Sequence, residues 1–136
     1  MKGGCVCGGV TLTLPATPDY INICNCRLCR STGGAYGYYK PEELEISGPL
    51  STFQRTDLPD ANVWLTTHFC PACGSATHWT PANGTPLGRI GVNMRLFPQE
   101  DLAGIEVRYQ DGRGVIDETD DFITTATGLI GDGKAF

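Results

Sequence analysis

The chain has 136 residues, of which 40% are apolar and 18% charged, the composition of one globular domain. Ten Lys and Arg residues against fifteen Asp and Glu give a formal net charge of −5, which argues against a nucleic-acid partner because phosphate backbones bind basic surfaces. No run of about 18 apolar residues is present, so the sequence predicts no membrane span. The first five residues lack the apolar core of a signal peptide, and we expect a cytoplasmic protein with reduced thiols.

Short strands and turns dominate the predicted elements, because eighteen glycines and nine prolines disfavour long helices. Alternating apolar and β-branched residues are the signal for each strand. In chain order, the pattern predicts extended segments at 10–14, 20–23, 35–40, 44–46, 50–54, 62–69, 75–79, 87–96 and 105–109.

Helical structure is expected in single turns. Cys26 and Cys29 stand three residues apart, so one turn would place both thiols on one side before Gly33-Gly34 ends it. Short turns are also predicted at 41–44 and 98–102. The pattern weakens after Asp111, and we expect the acidic tail, 111–136, to be partly ordered at best. The prediction is one mainly β domain over residues 1–136.

The seven cysteines form three groups, which are Cys5 and Cys7; Cys24, Cys26 and Cys29; and Cys70 and Cys73. Thiols this close in sequence are poorly placed to bridge each other. They suit zinc, which takes about four donors roughly 2.3 Å from one point. The count therefore predicts one closed site of four thiols and one open site of three.

The segment Cys70-Pro71-Ala72-Cys73-Gly74 has the form of a zinc knuckle at the tip of a predicted hairpin. Cys5 and Cys7 are its natural partners, since both lie on glycine-rich backbone. The alternative is a redox dithiol at Cys70 and Cys73, which would need a βαβ context that the chain does not show. We therefore predict a structural zinc on these four residues.

Cys24, Cys26 and Cys29 can all reach one metal and leave a fourth position for water, a thiolate or an oxygen ligand. Arg27 and Arg30 could favour thiolate over thiol or bind a carboxylate of a small ligand, or they could form a solvated face. A second structural zinc completed by His68 or His78 is the alternative to an open site.

Other side chains give weaker signals. Strand aromatics are more often core than pocket, and we expect this of Tyr36, Tyr38, Tyr39, Trp64 and Trp79. Three residues are possible general bases and none is favoured, namely Glu42, Asp57 and His68.

Three ordered motifs resemble the glutathione-dependent formaldehyde-activating enzyme family, which includes the centromere protein V group. They are Gly4-Cys5-Val6-Cys7-Gly8, then Cys24-Asn25-Cys26-Arg27-Leu28-Cys29-Arg30, then Phe69-Cys70-Pro71-Ala72-Cys73-Gly74, and the match spans roughly residues 3–110. The resemblance implies a β-tent fold like that of Mss4, built from antiparallel sheets with zinc sites at the turns. It also implies a structural zinc on the first and third motifs and an exchangeable zinc on Cys24, Cys26 and Cys29, in the region that engages glutathione.

The implied reaction is condensation of glutathione with formaldehyde to S-hydroxymethylglutathione, formally a carbon–sulfur lyase in reverse. We assign Cys24, Cys26 and Cys29 as catalytic residues, and Arg27 and Arg30 as ligand-binding residues. The alternatives are a non-catalytic zinc module that binds a protein partner and a redox sensor that uses the same three thiols. The centromere branch suggests nucleic-acid or microtubule binding, which the acidic composition disfavours.

Overall fold

The computed structural model describes residues 1–116, 119–134 and 136. Within them the single α-helix, α1, is Arg27–Thr32. No helix in these residues is long and apolar enough to cross a membrane. Short 3-10 turns occupy Pro41–Glu43, Asp60–Asn62, Met94–Leu96 and Gln99–Leu102. The strands are β1 (Lys2–Gly4), β2 (Thr11–Thr13), β3 (Tyr20–Cys24), β4 (Tyr36–Tyr39), β5 (Glu45–Ser47), β6 (Ser51–Phe53), β7 (Leu65–Phe69), β8 (Ala76–Pro81), β9 (Ile90–Asn93), β10 (Glu106–Asp111) and β11 (Ile123–Leu129).

The strands form two sheets, and the mainly β class agrees with the prediction of a β-tent. The larger sheet has the order β11-β10-β3-β4-β9-β8-β7-β6, and the smaller one has the order β1-β2-β5. Every pair is antiparallel except β10 with β3. That parallel pair is possible because a long connection separates the two strands.

The main core lies between the small sheet and one face of the large sheet. Leu12 from β2 packs there with Ile21 from β3, Tyr39 from β4 and Val92 from β9. Successive strand residues point to opposite faces, so the residues between these core positions face the other way. Asn22 in β3 is one of these residues, and that second face carries the cavity described below.

The tail differs most from the prediction. β11 pairs antiparallel with β10 over Ile123–Leu129, and Ile130 beyond it is buried in the main core. The sequence signal was weak because most side chains of β11 are exposed, so apolar and polar residues do not alternate along it. Backbone pairing and Ile130 hold the strand instead. Asp117, Glu118 and Ala135 lie outside the described residues.

Candidate metal centres and an adjoining cavity

The first thiol group brings together Cys5, Cys7, Cys70 and Cys73. Their sulfur atoms all lie within 4.8 Å of one another. The Cys5–Cys7 and Cys7–Cys70 sulfur separations are 3.5 and 3.7 Å. Four sulfurs about 2.3 Å from a central zinc would stand roughly 3.8 Å apart. The group could therefore hold a metal ion in a closed tetrahedral site, as its spacing predicts.

Two matching backbone turns build this group. Gly8 and Gly74 follow their cysteine pairs with φ of 74° and 75°, a conformation that strains any residue with a Cβ. The Gly74 N–H donates to Cys70 O at 2.8 Å, and the Val10 N–H donates to Cys5 Sγ at 3.2 Å. Cys70 and Cys73 lie between β7 and β8, so the predicted hairpin with cysteines at its tip is confirmed.

The second group comprises Cys24, Cys26 and Cys29, with sulfur atoms again within 4.8 Å of one another. Cys24 ends β3, and Cys26 is the N-cap of α1, where its sulfur accepts from the Cys29 N–H at 3.4 Å. The Cys26 N–H donates to Cys24 Sγ, also at 3.4 Å. The helical turn predicted for Cys26 and Cys29 is confirmed, and Gly33 ends it at φ 64°.

The three thiols differ in acidity. Hydrogen bonds from Cys24 and Cys29 lower the pKa of Cys26, with further help from the Arg55 charge. Hydrogen bonding to Cys26 raises the pKa of Cys24, and hydrogen bonding to Cys24 and Cys26 raises that of Cys29. A group of this kind is a strong ligand set for a soft cation.

A cavity of about 70 Å³ lies against the three thiols. Its walls are mostly aromatic and aliphatic, with few polar side chains. Besides the three cysteines, the described residues that line it are Asn22, Leu28, Tyr36, Tyr38, Arg55, Trp64, Leu65, Trp79, Leu87, Arg89, Gly112, Val115 and Phe122.

A polar pair lies in the wall of this cavity. Asn22 Nδ2 donates to the Tyr38 hydroxyl at 2.6 Å, while Asn22 Oδ1 has no hydrogen-bond partner among the described residues. Asn22 is only 7% exposed, so the unpaired acceptor costs about 1–3 kcal/mol. Burial raises the pKa of Tyr38 to about 12, and the phenol therefore stays protonated at neutral pH.

The segment after β10 closes one side of the cavity. The Gly112 N–H donates to Asn25 Oδ1 at 2.9 Å, which ties this segment to the thiol loop. A Cβ at Gly112 would overlap the Cys24 sulfur, so only glycine lets the backbone come this close. Phe122, in the tail, lines the same cavity. The sequence offered no signal for either residue.

Arg27 and Arg30 lie outside the cavity. Both are exposed and line a neighbouring groove of about 600 Å³, together with Cys26, Arg55 and Arg113. Within the cavity itself the guanidinium groups are those of Arg55 and Arg89. The groove is thus basic and the cavity mainly apolar, and the two meet at Cys26.

The histidines take no part in either thiol group. His68 and His78 stack with ring centroids 4.2 Å apart, and His68 Nε2 lies 2.9 Å from Thr80 Oγ1. The alternative of a second site completed by a histidine is therefore wrong in this geometry. The sequence offered three possible general bases, Glu42, Asp57 and His68. None of them is among the described residues that line the cavity.

The aromatic residues divide between core and cavity. Tyr39 belongs to the core, as expected. Tyr36 and Trp79 are buried, as expected, and also line the cavity; the expectation was wrong for Tyr38 and Trp64, which are half-buried and line the cavity. Strand alternation explains the division, because Tyr36 and Tyr38 share one face of β4 and Tyr39 lies on the other.

A solved structure of a Rhodobacter sphaeroides protein is similar with a TM-score of 0.58 and 24% identity, over 77% of this chain and 97% of that one. At this identity the likeness shows the fold alone. No curated protein matches the sequence significantly. The family model described as glutathione-dependent formaldehyde-activating enzyme matches residues 1–103. The chain therefore belongs to the glutathione-dependent formaldehyde-activating enzyme family.

Proposed function

We propose that this protein is a zinc-dependent enzyme of the carbon–sulfur lyase type, which condenses glutathione with formaldehyde to S-hydroxymethylglutathione. The observation that carries the proposal is the three-thiol group at the junction of an apolar cavity and a basic groove. Family membership supports the same reaction. We further propose a single domain over residues 1–136 and a cytoplasmic location, where the thiols would stay reduced.

The two thiol groups have different proposed roles. Cys5, Cys7, Cys70 and Cys73 would hold a structural zinc, since four soft donors at tetrahedral spacing leave no position open. Cys24, Cys26 and Cys29 would hold an exchangeable zinc with one free position. Bound there, zinc supplies Lewis-acid chemistry that lowers the pKa of a ligand thiol and holds it as a thiolate.

The cavity and the groove that meet at Cys26 would each bind one of the two substrates. The cavity of about 70 Å³ is lined mainly by apolar side chains, which suits a one-carbon aldehyde. The groove beside it carries Arg30 together with Arg27 and Arg113, which form ion pairs with Asp57 and Asp111. Guanidinium groups bind carboxylates, so this groove would take the carboxylates of glutathione. Holding both reactants at one junction supplies much of the rate.

Replacing Cys26 by serine tests the proposal. Serine is itself a good N-cap, so α1 should form normally while one sulfur of the open group is lost. We expect the protein-catalysed exchange between glutathione and S-hydroxymethylglutathione, measured by NMR at equilibrium, to fall at least about tenfold. The uncatalysed exchange is subtracted in a protein-free sample. Unchanged catalysis in Cys26→Ser would contradict the proposal.

A redox sensor at the same thiols is the second candidate. The lowered pKa of Cys26, caused by hydrogen bonds from Cys24 and Cys29, favours oxidation of this sulfur by peroxide. Reversible zinc release at micromolar peroxide, without acceleration of the glutathione reaction, would favour the sensor over the enzyme. Inertness to peroxide would remove it.

A further inference from the structure

The polar pair in the cavity wall has hydrogen-bonding capacity that the protein itself does not use. The Tyr38 hydroxyl accepts from Asn22 Nδ2, which leaves its own hydrogen free to be donated. Among the described residues, no acceptor receives that hydrogen and no donor reaches Asn22 Oδ1. One donor and one buried acceptor without a partner are therefore present on two neighbouring residues that line a mainly apolar cavity.

Neighbouring side chains hold the pair in place. The Arg89 guanidinium lies 4.3 Å from the centre of the Tyr38 ring. Tyr20 and Trp79 contact the same ring edge to face, at centroid distances of 5.6 and 6.1 Å. Asn22 is fixed by β3, and it shares a strand face with Cys24 about 7 Å further along. The pair is thus preorganised in the same cavity that the three thiols line.

We propose that Tyr38 and Asn22 form the binding site for the oxygen atom of the aldehyde, with Tyr38 donating to it and Asn22 Oδ1 accepting from the hydroxyl of the product. This inference rests on the proposed function, and it assigns the reacting oxygen to residues outside the three cysteine motifs. The ligand class is a small carbonyl compound or the hydroxyl formed from it.

The pair acts during formation of the carbon–sulfur bond. The glutathione thiol gives its proton to water, and the thiolate sulfur attacks the carbonyl carbon. The carbon–oxygen π electrons move to oxygen, which takes a proton from water to become the hydroxyl. Negative charge develops on oxygen between these events, and the fixed Tyr38 O–H is placed to stabilise it. Tyr38 keeps its own proton throughout.

The first test measures binding without turnover. 2-Mercaptoethanol and ethanethiol have the same chain length, and only the former carries a hydroxyl. Calorimetric titration of both into the zinc-loaded protein gives the ratio of their affinities. We expect Tyr38→Phe to reduce the relative affinity for 2-mercaptoethanol about tenfold, the usual effect of one buried hydrogen bond. Tyr39→Phe is the matched control, since its hydroxyl lies on the other face of β4 and donates to Ala16 O at 3.1 Å.

The second variant, Asn22→Ala, removes the acceptor. It allows the same test if Tyr38→Phe folds poorly. It should lower the same ratio. A ratio equal in wild type, Tyr38→Phe and Asn22→Ala, or no thiol binding at all, would overturn the inference.

The NMR exchange assay separates the inference from the proposed function. We expect Tyr38→Phe to lower catalysed exchange about tenfold to a hundredfold and Tyr39→Phe to leave it unchanged. The protein could prefer the hydroxyl compound in a way that depends on Tyr38 and yet not accelerate the glutathione reaction. That result would support the oxygen site and refute the proposed function. Catalysis that is unaffected by Tyr38→Phe would refute the role of Tyr38 while leaving the proposed function intact.

Discussion

At the residue scale, the open thiol group depends on a position that has no side chain. Gly112 packs its backbone against Cys24, and its N–H binds Asn25 of the thiol loop. The cysteines alone therefore do not fix the geometry of this group. A backbone segment 87 residues after Asn25 in the sequence also contributes.

Gly112→Ala should disrupt the open metal group without unfolding the protein. The new methyl would overlap the Cys24 sulfur, and a displaced ligand lowers metal affinity, here by about tenfold to a hundredfold. Competition with a chromophoric chelator measures the affinity of each zinc. Gly114→Ala is the control, because a methyl there would meet no atom within 4 Å. Equal zinc affinities in both variants would contradict this account of Gly112.

At the element scale, the two thiol groups serve different parts of the fold. The closed group joins the turn after β1 to the β7–β8 hairpin, and Cys5, Val10 and Cys70 form a small buried cluster of their own. The open group lies on one loop and the first turn of α1. Loss of a cysteine from the closed group should therefore lower stability more than loss of a cysteine from the open group.

Cys70→Ser should lose one zinc per chain and lower Tm by more than about 10 °C, because structural zinc contributes directly to folding. Cys29→Ser should also lose one zinc but lower Tm by less than about 5 °C. Native mass spectrometry counts the metals, and calorimetry gives Tm. Equal losses of Tm in the two variants would argue against the division into structural and exchangeable sites.

The β7–β8 hairpin also carries the stacked histidines, which predict a pH dependence. Burial, with a smaller effect of His68, lowers the pKa of His78 to about 4 from an ordinary 6.5. Below about pH 6.5 the unfolded chain takes up a proton that the folded His78 does not bind until near pH 4. The free energy of unfolding therefore decreases as the pH is lowered from about 6.5 to about 4, by up to about 1.4 kcal/mol per pH unit.

Urea unfolding at pH 5 and pH 7 measures this contribution. His78→Gln should show a smaller loss of stability between the two values than wild type, with zinc content matched in both. If His78→Gln and wild type lost the same stability between pH 7 and pH 5, His78 would not contribute to the pH dependence.

At the scale of the whole molecule, the tail contributes a strand to the large sheet. β11 extends the large sheet beyond the residues matched by the family model, and Ile130 enters the core. The cavity is also completed by Phe122 from this region. The chain after residue 103 thus contributes to both stability and the candidate site.

Ile130→Ala should lower the free energy of unfolding by about 2–5 kcal/mol, the usual cost of removing a buried aliphatic side chain. Ile130 is 5% exposed, whereas its neighbour Leu129 is 54% exposed. Leu129→Ala should therefore change stability by no more than about 0.5 kcal/mol. Denaturant unfolding measures both values. A small effect of Ile130→Ala would show that the tail is not anchored in the core.

The strands between residues 10 and 109 were largely predictable, because strand alternation and turn residues are local signals. The prediction failed for β1 and β11. β1 is three residues long and contains two glycines, and β11 exposes most of its side chains, so neither shows an apolar alternation. Their pairing depends on backbone hydrogen bonds to strands elsewhere in the chain.

The amino-acid sequence by itself determined the grouping of the cysteines, because ligands within a few residues of each other are held together by local backbone geometry. Only the tertiary structure decided the cavity, since Asn22, Tyr38, Trp79 and Phe122 come from β3, β4, β8 and the segment before β11. Their meeting depends on strand order and register, which are set by long-range packing and leave no local pattern in the chain.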